Sequence, residues 1–198
     1  MADYIKLRQL HPTQITLGMR EVIRRQGRFV TLDAKARKAY VDERVVPCVI
    51  GPKEISYLID RHHMCRALLG AGVAEVRCDL VSDVSNLGEE EFWRFMDLRG
   101  WMHPFDATGR RCAVTAIPRS IEALVDDPYR ALAGFVRRDN GFTKAATPFE
   151  EFIWADFLRH RIPAASIEKD FDGVCHKALE LARSPAARHL PGWNGGRH

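Results

Sequence analysis

The chain has no Cys-x-x-Cys pair and no even set of cysteines. Its five cysteines, Cys48, Cys65, Cys78, Cys112 and Cys175, stand far apart. That excludes a zinc ribbon and a disulfide framework, and most are expected to act as small buried hydrophobes. His11, His103, His160, His176, His189 and His198 show no metal-ligand spacing; His103, in an aromatic loop, is expected to line a pocket. No long apolar run occurs, so neither a signal peptide nor a membrane span is expected, and cytoplasm is the expected location. Repeats and low-complexity linkers are missing as well.

A concentrated block of charge is also lacking. The formal net charge is +4, but the basic pairs Arg24-Arg25, Arg110-Arg111 and Arg137-Arg138 are separated. An anionic small molecule needs one local basic patch, whereas duplex DNA favours a broad basic face. The composition permits both. What is present is ordinary for a folded protein: 198 residues, 46% apolar and 28% charged, enough for one core or a core with an extension.

Hydrophobic period divides the chain. Leu17 to Gln26 reads as a helix ending near Gly27, with a helical turn at Lys35 to Tyr40. Arg44 to Ile50, Ile55 to Ile59 and Glu75 to Val81 read as strands. Between the last two, Met64, Ala67, Leu68 and Ala71 share one helical face. After Asn86 helices dominate: Glu89 to Arg99, Arg119 to Val125, Tyr129 to Arg138, Phe149 to Arg161 and Phe171 to Ala182. Phe149, Phe152, Ile153 and Phe157 are predicted to face inward, as are Phe171, Val174, Ala178 and Leu181. The tail GWNGGRH is predicted to fray. The expected fold class is α+β, with a small mixed α/β unit over 1–85 and a helical extension over 86–192 packed on it.

The stretch YLIDRHHMCRALLGAG at 57–72 carries the chemistry. An apolar strand runs into Asp60, and a polar turn opens a helix, where backbone amides favour an anion. Asp60 can cap that helix, orient a histidine or ligate a metal. His62 and His63 suit phosphate contact or proton relay, or plain packing. Arg61 and Arg66 offer guanidinium forks to an anion or to solvent. Cys65 lies close by, with nothing to mark it as reactive.

Asp60, His62, His63 and Ala67 match the Asp-Gly-His-His-Arg-x-x-Ala pattern of the serine-kinase-like branch of the ParB/sulfiredoxin superfamily, which this motif resembles. Arg61 replaces the glycine and Met64 the arginine. The sulfiredoxin cysteine is replaced by His62, which argues against sulfinic-acid repair. LHPTQITLG at 10–18, DPYRALAGFVRR at 127–138 and TPFEEFIWADFLRHRI at 147–162 extend the resemblance to stand-alone ParB-like nucleases. The kinase branch implies ATP or ADP, Mg2+ at Asp60, and phosphoryl transfer to a small hydroxyl compound. It needs a carboxylate base, for which Glu21 is the candidate unless Gln14 takes that position. Arg130 and Lys144, in or beside the resembling stretches, are candidate phosphate contacts or surface ion pairs. A kinase-like phosphotransferase is therefore expected ahead of a ParB-like DNA-binding protein or nuclease, or a non-catalytic ligand binder. An anionic small molecule or nucleotide is the expected partner, with nucleic acid the second choice.

Overall fold

A computed structural model describes residues 3–195. In chain order its elements are β1 (Asp3–Lys6), β2 (His11–Pro12), β3 (Thr16–Leu17), α1 (Met19–Val30), α2 (Ala34–Asp42), β4 (Val46–Ile50), β5 (Ser56–Leu58), α3 (His62–Gly70), β6 (Glu75–Asp83), α4 (Glu89–Leu98), β7 (Val125–Asp126), α5 (Pro128–Arg138), α6 (Glu150–Arg159), α7 (Ala164–Lys169) and α8 (Phe171–Arg183), with short 3-10 turns between some of them. A mixed α/β part is followed by a largely helical part, as the hydrophobic period predicts.

The chain forms two compact units, 1–125 and 126–198. The first contains a five-stranded sheet in the order β1-β6-β4-β5-β2. β4 lies parallel to β6 and antiparallel to β5, and the edge strand β2 runs parallel to β5. The apolar sequence VPCVI fits the central place of β4, where Val46, Cys48 and Val49 are buried. One core gathers Val22, Phe29, Leu58, Met64, Leu68 and Val76, together with Ile121 and Leu124. A second places Phe92 and Met96 of α4 with Val49 and Tyr57. Because α4, Ile121 and Leu124 complete these cores, the first unit reaches well beyond residue 85.

Two local expectations need correction. α1 does not stop at Gly27 but runs to Val30. A helical glycine costs about 1 kcal/mol, and burial of Phe29 in the next turn offsets it. Residues 119–125 are not an α-helix: they hold a 3-10 turn at Ile121–Ala123. Ile121 and Leu124, three apart, are the buried pair, and that spacing suits the tighter helix.

The 126–198 unit is built from α5 to α8. Its core joins Tyr129, Leu132 and Val136 to Trp154, Phe157 and Leu158, with Val174, Cys175 and Ala178 of α8. The buried face of α6 is turned from the one predicted: Trp154, Ala155, Phe157 and Leu158 are buried, while Ile153 is 38% exposed. Trp154 decides this, stacking on Phe142 with ring centroids 4.3 Å apart and donating its indole N–H to the Pro191 carbonyl at 2.9 Å. Phe152 instead lies under the Arg130 guanidinium, 3.9 Å from its ring centre. The start of the tail is held, since Thr143 N–H donates to the Gly192 carbonyl at 2.8 Å. A Cβ on Gly192 would come within 1.8 Å of the Thr143 oxygen, so only glycine fits. Fraying is predicted for 192–198; the described part, 192–195, includes this held segment, and 196–198 lie outside the described residues.

Candidate functional site

β5 ends at Leu58, and the chain turns through Ile59, Asp60 and Arg61 into α3. Arg61 takes the left-handed conformation, φ 65° and ψ 24°, at the N-cap. Such a conformation costs a non-glycine residue roughly 1–2 kcal/mol. The place where the resembling motif has glycine is thus the place where the backbone favours one. The Asp60 carboxylate accepts from Arg61 N–H at 2.6 Å, and the Arg61 carbonyl accepts from Cys65 N–H at 3.0 Å. Asp60 is exposed and works as a local backbone brace.

Both imidazoles of the motif reach back to the segment that precedes α1. His62 is buried, and its Nε2 accepts from Thr13 N–H at 3.2 Å. His63 Nε2 accepts from Gly18 N–H at 3.0 Å. Each ring therefore offers Nε2 as a lone-pair acceptor in these bonds. Adjacent residues on a helix do not share a face, and these two accordingly grip opposite ends of the run from Thr13 to Gly18. That run is buried throughout, with Thr13 at 1% exposure, Gln14 at 5% and Thr16 at 1%. Thr13 donates its hydroxyl to the Leu58 carbonyl at 2.8 Å, and Gln14 donates its amide to the Thr16 carbonyl at 2.6 Å. His103, expected beside a pocket, donates its backbone N–H to the Thr13 carbonyl at 2.8 Å and stacks its ring on Phe105. Thr13 and Thr16 are site residues that sequence reasoning missed. Hydrophobic period carries no signal for a polar residue that is buried by bonding to backbone.

The remaining candidates separate by what they already hold. Glu21 is buried, with Arg24 bound to both carboxylate oxygens at 2.7 and 2.9 Å and Arg25 at 2.7 Å. Two guanidinium groups therefore occupy the carboxylate proposed as a base. Gln14, the other occupant considered for that role, has no carboxylate. Arg61 is exposed and makes no side-chain ion pair among the described residues. Arg66 is half-buried, and its Nε, shielded from solvent, has no hydrogen-bond partner among the described residues. In the other unit Arg130 is 5% exposed and paired with Glu151 at 3.0 Å. Lys144 is exposed before α6. Cys65 is fully buried, and burial pushes its thiol pKa far up, so it is no nucleophile.

Among the described residues, no three His, Cys, Asp or Glu side chains gather to hold a metal. The Asp60 carboxylate, the candidate for magnesium, already accepts from Arg61 N–H. No helix among the described residues is long and apolar enough to cross a membrane.

No curated protein matches the chain. Among solved structures, the chain is similar to protein Atu1540 from Agrobacterium tumefaciens, with 42% identity, a TM-score of 0.91 and 98% of each chain covered. A family model described as "Putative ParB-like nuclease" matches residues 4–160. That match overturns the kinase-like phosphotransferase favoured from the histidine motif, because it associates the chain with nucleases and not with kinases. The chain belongs to the ParB-like nuclease family.

Proposed function

We propose that this protein is a ParB-like nucleic-acid-binding protein. In this reading it holds backbone phosphate at the start of α3 through Arg61 and Arg66, and His62 and His63 build the site without transferring a proton. The observation that carries the reading is a division of labour within one turn. Asp60, His62 and His63 are engaged with backbone, while the two arginines have no ion-pair partner among the described residues. Phosphate contacts of this kind hold nucleic acid without reading its sequence. The family match to nucleases supports a phosphodiester as the ligand.

The test is binding of labelled duplex and single-stranded DNA followed by anisotropy across a salt series. Each phosphate contact contributes about 0.9 to the slope of log affinity against log salt for duplex DNA. The double variant Arg61→Ala, Arg66→Ala is expected to lower that slope by roughly one to two units and to weaken all sequences alike. An unchanged slope would sink the proposal. A second reading, phosphodiester cleavage, is favoured by the family description alone. Metal-dependent nicking of supercoiled DNA that disappears in His63→Ala, with DNA affinity retained, would establish it in place of simple binding.

A further inference from the structure

A cleft of about 260 Å3 lies at the β2–β5 edge of the sheet, and none of residues 60–66 lines it. Its chemistry differs from that of the histidine turn. Trp93, Ile55 and Ile117 give it apolar walls, while Lys53, Arg119 and Glu89 are its charged groups. His11 stands half-buried in the same lining, its ring edge-on to Tyr57 with centroids 5.6 Å apart.

The turn that brings Lys53 here is strained. Lys53 and Glu54 both have left-handed backbones, with φ of 60° and 58°. In that region the Cβ of a non-glycine residue crowds the following carbonyl oxygen, so two in succession are strained. The turn is also pressed against the aromatic cluster: a Cβ on Gly51 would meet the Phe92 ring at 2.6 Å and the Tyr57 ring at 2.8 Å. Strain of this kind persists only where surrounding packing imposes it, and it is concentrated at ligand-holding sites. Its product here is a lysine on the cleft lining. Neither Lys53 nor Arg119 forms an ion pair among the described residues. Burial first, and Arg119 second, lower the pKa of His11 from its ordinary 6.5, which disfavours a charged imidazole in the lining.

We propose that this cleft binds a small organic monocarboxylate with a flat apolar body, its carboxylate held by Arg119 and Lys53 and its body laid against Trp93. Two cations against the one carboxylate of Glu89 leave a balance that suits a single negative charge. A phosphate dianion would exceed that balance and be repelled by Glu89 about twice as strongly as a monoanion at the same distance. A neutral aromatic molecule would cover the walls and leave the excess positive charge of the lining unbalanced. The volume suits a ring carrying a short acidic arm, and the lining sets apolar side chains beside a few charged ones that would fix the orientation of such a ligand. The inference does not depend on nucleic-acid binding at α3.

Phenylacetate is the probe, with benzyl alcohol and phenyl phosphate as the neutral and dianionic counterparts. The readout is the indole N–H resonance of Trp93, identified by its loss in Trp93→Phe. Phenylacetate is expected to shift this resonance saturably, with each counterpart at least tenfold weaker. Arg119→Ala is expected to weaken phenylacetate at least tenfold and Lys53→Ala severalfold, while Arg110→Ala, outside the cleft, leaves it unchanged. Arg119 is exposed, and an unchanged amide spectrum elsewhere shows that its variant is folded. No saturable shift, equal affinity for benzyl alcohol or phenyl phosphate, or undiminished binding by Arg119→Ala would each overturn the assignment.

Discussion

The two units bury polar groups in different proportions, mostly neutral in one and charged in the other. In the 1–125 unit the described buried polar residues are four neutral groups bonded largely to backbone, Thr13, Gln14, Thr16 and His62, and one charged group, Glu21, held by Arg24 and Arg25. In the 126–198 unit they are Asp127, Arg130 and Glu150, charged groups joined in ion pairs such as Arg159–Asp127 at 2.7 Å and Arg130–Glu151 at 3.0 Å. Neutral hydrogen bonds fix a loop at modest cost and hold it in one path. Buried ion pairs contribute little net stability, yet they tolerate no loss of a partner, because the remaining charge is stranded. The helical unit is thus the more brittle to single charge changes, and the mixed unit the more brittle to loss of its imidazole acceptors.

The largest expected effect is on the helical side. Asp127 is 1% exposed, caps α5 by accepting from Tyr129 N–H at 2.9 Å, and receives Arg159. Arg159→Ala strands that carboxylate and should destabilise the protein by about 3–5 kcal/mol, read from the denaturant midpoint. A loss below about 1 kcal/mol would make this pair behave like a surface bridge and remove the contrast between the units. On the mixed side, His62→Ala leaves the buried Thr13 N–H without its acceptor and should cost about 1–3 kcal/mol. His63 is only half-buried, so water can reach the Gly18 amide after His63→Ala, and the cost should fall below that of His62→Ala. Equal costs would mean that the two rings are not the unequal tethers their burial describes.

How much of this was legible follows from what the local sequence encodes. The strands and helices around 44–83 follow from apolar period, because their side chains bury by hydrophobicity. The turn at Asp60 was legible as a site for the same reason: it interrupts that pattern with charge. The use of His62 and His63 was not, since their partners, Thr13 and Gly18, lie more than forty residues away and are backbone amides, which any residue supplies. The buried face of α6 differs from the predicted one because Phe149, Phe152 and Ile153 make one apolar stripe and Trp154, Ala155 and Leu158 another. Only the position of Phe142 and the Pro191 carbonyl selects between them. The Lys53 cleft gave no motif at all, because it draws residues from four separate stretches of chain.

Arg61 separates stability from binding within the mixed unit. Glycine adopts its left-handed backbone without strain, so Arg61→Gly should raise stability by up to about 1 kcal/mol. Under the proposed function the same change removes a phosphate contact. A variant that is more stable yet binds DNA with a shallower salt dependence is the expected combination. If stability falls instead, the arginine side chain makes a contact that outweighs the backbone strain.

The smallest effect is a pH dependence, and it tests whether the mixed unit's neutral groups are neutral by design of their surroundings. Burial first, and Arg119 second, lower the His11 pKa from its ordinary 6.5. As pH falls, the unfolded chain takes up this proton before the folded one does. Between 6.5 and the lowered folded value the unfolded state therefore holds more protons, and stability drops as pH falls through that window, levelling off below it. His11→Asn cannot titrate and should lose this part of the slope when denaturant midpoints are compared across the window. Arg119→Ala should shrink the slope without abolishing it, because the larger cause, burial, remains. If His11→Asn keeps the full slope, the proton is taken up elsewhere. If Arg119→Ala leaves the slope untouched, its guanidinium does not act on the lining of the cleft, and the electrostatic half of the monocarboxylate site is lost with it.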